Sequence, residues 1–247
     1  MMRNSLLFSD TFLDIFKIQV AGMVWILVFI LALALFFFPQ WWVGRVLKQH
    51  SNERNDFPGT GGELAQHLIK VHNLEGVQVE VTEAGDHYDP VDKMVRLTAD
   101  KFDGRSLTAI VVAAHEVGHA IQDHNKEKTF NARITATKFV NIAQRVTPVA
   151  FWISPMLAFV SPAASRVTLG IAVLSILAST LVHLITLPVE WDASFAKALP
   201  ILEKGEYLNE QDMKDAHQIL LAAALTYVAG SLASLLNVWR WLRYFRR

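Results

Sequence analysis

His115 and His119 stand four residues apart with Glu116 beside the first, inside the run Ala113-Ala114-His115-Glu116-Val117-Gly118-His119-Ala120-Ile121-Gln122. On a helix that spacing puts both imidazoles on one face, one turn apart. Two neutral imidazoles so placed can share one Zn²⁺ at about 2.0–2.1 Å each. Glu116 can then take a proton from a zinc-activated water. A bland alternative is a helix whose two histidines are satisfied by hydrogen bonds. The preceding Ile110, Val111, Val112, Ala113 and Ala114 count against it, because they carry these polar groups into a buried helix. Polar groups buried there without a partner cost several kcal/mol, and a metal is such a partner. Gly118 weakens the helix and makes sense where another backbone passes close by.

A catalytic zinc takes three protein ligands and leaves room for water. The candidates for the third are Glu190, His183, Asp192 and His124. Glu190 leads, since it follows Pro188, which can turn the chain, at the end of an apolar stretch. His183 suits a helix–helix hydrogen bond better. Asp192 suits an outer role, accepting the second N–H of a ligand histidine.

These residues must be positioned by the rest of the 247-residue chain, which is 52% hydrophobic with zero formal net charge and has a mean hydropathy of +0.28. The charge balance gives no reason to expect a nucleic-acid partner. The absence of cysteine excludes disulfides, thiolate zinc sites and cysteine catalysis. Ile18 to Val43 carries no charge and ends in an aromatic cluster, which reads as a bilayer anchor. Thr60-x-x-Glu63 is a capping box that opens a helix to about His72. Segments 77–82 and 93–98 alternate as strands, with a polar loop from Glu83 to Asp92 between them. Asp103 or Ser106 can cap the motif helix, which runs to about Asp123. Another helix is expected from about Lys128 to Val146. Apolar stretches at 149–160, 167–187 and 217–241 read as further spans, the first two joined by a short hairpin.

The resulting expectation is an α-helical integral membrane protein with about four transmembrane helices and a small α+β zincin-like domain. Residues 1–44 would be the anchor, 45–147 the metallopeptidase domain, and 148–188 a transmembrane hairpin. A loop at 189–216 would carry the third ligand, and 217–247 would form a last membrane helix with a basic tail.

Five ordered stretches carry a resemblance. They are Asp86-His87-Tyr88-Asp89-Pro90, Val95-Arg96-Leu97, Ala113 to Gln122, Leu187-Pro188-Val189-Glu190-Trp191-Asp192-Ala193-Ser194, and Ala222 to Ala229. Over about residues 58 to 240 the chain resembles the YugP-like bacterial membrane zinc metallopeptidases, of the neutral zinc metallopeptidase family. More distantly it is similar to the HtpX-like and CAAX prenyl membrane proteases. The resemblance implies His115, His119 and Glu190 as ligands of one Zn²⁺ per chain and Glu116 as base. One departure stands out: Phe195, Ala196 and Lys197 occupy positions where the family pattern places a pair of arginines.

The function expected is a membrane-bound, zinc-dependent endopeptidase acting on peptide or protein substrates, with the lipid bilayer as its other partner. His87, Tyr88 and Tyr227 are candidates to stabilise the oxyanion. Either strand could offer an edge to an extended substrate. The rival readings are a zinc-binding scaffold or chaperone that does not cut, and a weaker one, a transporter using His183 and Glu190. The location expected is a multi-pass bacterial inner-membrane protein. Arg240 to Arg247 and the basic residues flanking the zinc domain argue for opposite orientations, and the HtpX-like resemblance implies a cytoplasmic domain.

Overall fold

The computed structural model describes the backbone of residues 2–245. It describes the side chains of residues 19–20, 22–31, 33–34, 37–142, 145–150, 152–175, 177–178, 181–182 and 184–232. In chain order the elements are α1 (Met2–Gln49), α2 (Gly61–Val71), β1 (Gln78–Val81), β2 (His87–Asp89), β3 (Met94–Leu97), α3 (Ala99–Phe102), α4 (Leu107–His124), α5 (Lys128–Val160) and α6 (Pro162–Trp191). A π-helical segment (Asp192–Ala198), α7 (Leu199–Lys204) and α8 (Glu210–Phe245) complete the chain.

The sequence signals for α2 and α4 hold. Thr60 Oγ1 accepts from Glu63 N at 3.2 Å and Glu63 Oε2 accepts from Thr60 N at 2.8 Å, so both halves of the capping box form. Ser106, not Asp103, caps α4 by accepting from Ala109 N at 3.1 Å. Helix α4 is buried on most of its circumference, including Ala109, Val111, Ala113, Ala114, Val117 and Ala120 at 0% exposure. It is the central element, packed by α2, β2, β3, the π segment and α8.

The sheet has the order β1-β3-β2, with β1 parallel and β2 antiparallel to β3. The polar loop expected between two strands therefore contains a third strand, and the hairpin is β2–β3. Its turn is made by Asp89 Oδ1, which accepts from Val91 N at 2.8 Å and Asp92 N at 3.3 Å, and by Lys93 at φ +57°. Val95 and Leu97, both fully buried, face the core. On the opposite face Arg96 ties the strands together through Glu80 of β1, Asp89 of β2 and Asp92 of the turn.

The expectation of four membrane spans is corrected. Among the described residues no helix is long and apolar enough to cross a membrane. The expected last span counted residues that the core uses, such as Ile219, Leu220 and Ala222. The helices run differently from the expected spans as well. Helix α5 is continuous from Lys128 to Val160 through Pro148 and Pro155. Ser161 then caps α6, accepting from Ala164 N at 3.3 Å. Large apolar side chains are exposed on α1, α5 and α6, among them Trp25, Trp152 and Phe159. The side chains of the tail from Arg240 and of His183 lie outside the described residues.

Helix α6 does not turn at Pro188. It runs through that residue to Trp191 and passes into the π segment, whose wider turn re-aims the side chains that follow. This segment packs directly on α4. A Cβ built on Gly118 would lie 2.9 Å from Ala193 O and 3.5 Å from Ala193 C and Cα, so the close backbone approach that Gly118 suggested is present. Gly118→Ala gains about 1 kcal/mol of helix propensity but incurs an overpacking cost of about 1–3 kcal/mol. It should lower the melting temperature. Gly170→Ala, in α6 with nothing within 4 Å of the new Cβ, should raise it. Thermal unfolding of the two variants checks this, and a stabilised Gly118→Ala would contradict the contact.

Candidate metal centre

Two helices converge on one point. Helix α4 supplies His115 and His119, and the last turn of α6 supplies Glu190. Their ligand-type atoms lie within 4.8 Å of one another. Glu190 Oε2 is 3.3 Å from His115 Nε2 and 3.4 Å from His119 Nε2. Two ligands about 2.0–2.1 Å from one tetrahedral ion stand about 3.3–3.4 Å apart, so the spacing fits zinc.

The protonation pattern points the same way. Gln122 Nε2 donates to Val189 O at 2.9 Å and to Asp192 Oδ2 at 2.7 Å, both acceptors. Its Oε1 therefore faces His119 Nδ1, 2.9 Å away, and that nitrogen is the donor. That leaves His119 Nε2 facing Glu190. His115 Nδ1 lies 3.2 Å from Ser194 Oγ, which leaves its Nε2 aimed inward as well. Glu190 is 1% exposed, and neither of its oxygens accepts a well-formed hydrogen bond. Three ligand-type atoms thus face one another in a buried place, a donor set that a divalent cation would satisfy.

Charge around the site reflects this. Burial pushes the Glu190 carboxyl up, but His119, His115 and Arg133 outweigh it and hold it well below the usual carboxylate range. Burial depresses His115, yet Glu190 and Glu116 leave it above the ordinary histidine value. Arg133 of α5 places Nη1 2.8 Å from Glu190 Oε1. The carboxylate is therefore divided, with one oxygen toward the histidines and the other toward a guanidinium.

A cleft of about 290 Å³ opens here, and its lining includes Glu116, His87, Tyr227 and Arg133. Glu116 is 7% exposed. His87 Nδ1 donates to Gly85 O at 2.8 Å. Tyr88 also lines the cleft, but its hydroxyl is committed to Asp123 Oδ2 at 2.7 Å. Burial pushes the Tyr227 phenol well above its ordinary value, and Glu190 adds to the shift, so its hydroxyl remains a donor at neutral pH. His124 is exposed and outside the cluster. Asp192 also lies outside it and reaches His119 only through Gln122, one bond further out than expected. Lys197 stands in for the expected arginines, with Nζ on Asp192 and 2.9 Å from Glu127 Oε1.

Reading the sequence assigned no role to Gln122, Ser194 or Arg133. Gln122 follows His119 by three residues and so shares its helix face, a usable signal. Ser194 was visible within the 187–194 stretch. Arg133 gave none, because its role exists only where α5 meets the end of α6.

A buried helix carrying two histidines and closed by a distant carboxylate is the arrangement of a zinc metallopeptidase centre. The sequence matches the family described as "Putative neutral zinc metallopeptidase" over residues 25–246, and the chain belongs to that family. It is 33% identical over 225 residues to the protein named "Putative membrane protease YugP" of Bacillus subtilis (strain 168), covering 90% of this chain and 97% of that relative. No solved structure matches it.

Gln122→Ala removes the acceptor of the His119 N–H and should weaken zinc about 10–100-fold. Asp192→Ala, one bond further out, should weaken it less. Zinc titration against a competing chelator checks the order, and the reverse order would contradict the relay.

Proposed function

We propose that this protein is a zinc-dependent endopeptidase that hydrolyses peptide bonds of protein substrates. The observation that carries the reading is the convergence of His115 Nε2, His119 Nε2 and Glu190 Oε2 in a buried pocket with Glu116 beside them. His115, His119 and Glu190 would hold one Zn²⁺ per chain. When bound, the ion supplies Lewis acidity, polarising a peptide carbonyl and making water acidic enough to ionise near neutral pH.

The chain's own groups do the rest. Glu116 accepts the proton of the attacking water and delivers it to the leaving amine. Tyr227 is the donor best suited to the oxyanion, because its phenol stays protonated. His87 has its N–H engaged with Gly85 O and would donate from Nε2 only as an imidazolium. Strand β2 is an edge of the sheet, and His87 and Tyr88 bring it to the cleft. An extended substrate can add along it. The working unit reaches beyond residues 45–147, because Glu190 and Tyr227 line the same cleft. The relative's name as a membrane protease, with exposed Trp25, Trp152 and Phe159, supports activity in association with a lipid surface.

Glu116→Gln should keep its zinc and lose roughly 10²–10⁴-fold in turnover, since the residue moves the proton and is not a ligand. The measurements are zinc content and hydrolysis of an unfolded protein substrate. Turnover near wild type would sink the mechanism. Zinc binding with no hydrolysis even in wild type would favour a scaffold that binds without cutting.

A further inference from the structure

The two walls of the cleft differ in charge. The α4–α6 wall carries Glu116 and Glu190 and is the metal side. The α5 wall carries Arg133, Lys138 and Asn141, with Ile134 and Thr137 between them. Positions 134, 137, 138 and 141 share one helix face. No carboxylate stands on that face, and of the acids lining the rest of the cleft Asp86 and Glu190 are already engaged, while Glu116 is the proposed base. Asp86 accepts from Thr98 N at 2.6 Å and Thr98 Oγ1 at 2.8 Å, and lies 3.6 Å from Lys101 Nζ. Glu190 is held by Arg133 and the histidines.

The cations are less fully used. Arg133 contacts Glu190 through Nη1, and its guanidinium has five N–H donors in all, so most of the fork remains. Among the described residues Lys138 has no ion pair, and it stands exposed on the lining of the cleft. A peptide backbone alone offers only neutral carbonyls to two cations. A carboxylate matches both, and charge-assisted bonds to it are about twice as strong as neutral ones.

We propose that Arg133 and Lys138, with the Asn141 amide beside them, bind a carboxylate of the substrate next to the scissile bond. The inference rests on the peptidase reading and names its substrate class: peptides carrying an acidic side chain there, or ending there in a free C-terminus. Arg133 thus has two roles, fixing one oxygen of Glu190 and facing the substrate. Lys138 is the specificity residue that touches no part of the metal centre.

The test uses the zinc-loaded full chain and three sets of hexapeptides of common sequence. One carries Glu scanned through the positions with an amidated end, one carries Gln with a free C-terminus, and one carries Gln with an amidated end. Affinities are read by calorimetry on the Glu116→Gln protein, where turnover does not interfere. A carboxylate-bearing set should bind about tenfold more tightly than the neutral set. Preference for the first set assigns an acidic side chain, and preference for the second assigns the terminus. In the Glu116→Gln/Lys138→Gln protein the ratio should fall severalfold, what is left resting on Arg133, with neutral-peptide affinity and zinc content unchanged. Equal affinities across the sets, no binding of any set, or a ratio unchanged by Lys138→Gln would overturn the proposal. Hydrolysis by the wild-type chain is measured alongside. Cleavage without preference would sink the carboxylate site alone, and carboxylate-selective binding without any cleavage would sink the peptidase reading alone.

Discussion

The structure depends on a buried carboxylate that cannot stand by itself. Glu190 is ionised, almost wholly excluded from solvent and faced by two imidazole nitrogens. An isolated charge in such a place would cost many kcal/mol and would take up a proton instead. Arg133 meets one oxygen and leaves the other to the histidines. A divalent cation at the common point satisfies all three donors, and binding it adds directly to the stability of the fold that gathers them.

The outer bonds explain why these donors point inward. Gln122 is fully buried and reads two acceptors on one side, Val189 O and Asp192, so it can only accept from His119 on the other. Ser194 performs the corresponding service for His115. Val189, Asp192 and Ser194 lie at the junction of α6 with the π segment, and Gly118 lets that junction sit against α4. The same few residues therefore dock two helices and orient the histidines. Loss of any of them is expected to affect packing and metal affinity together.

Much of this was legible in the sequence because it is local. A capping box, a serine cap, alternating strands and two histidines four apart are signals within a single turn or strand. Glu190 was reached from its place in the chain and from family resemblance. Strand β2 was missed because three residues are too few for an alternation to register. The π segment after Pro188 has no sequence signature of its own. Arg133 looks like any basic residue of an amphipathic helix until α5 crosses the end of α6. For the last expected span the reason is related: hydropathy counts apolar residues such as Ile219 and Ala222 without knowing that a core will use them.

The most direct measurement of the central claim is X-ray absorption at the zinc edge on the purified full chain. The account predicts a nitrogen and oxygen shell at about 2.0–2.1 Å with outer-shell scattering from two imidazoles. In Glu190→Ala that shell should lose an oxygen donor and the bound zinc should fall. A zinc shell with fewer than two imidazoles, or one unchanged by Glu190→Ala, would contradict it.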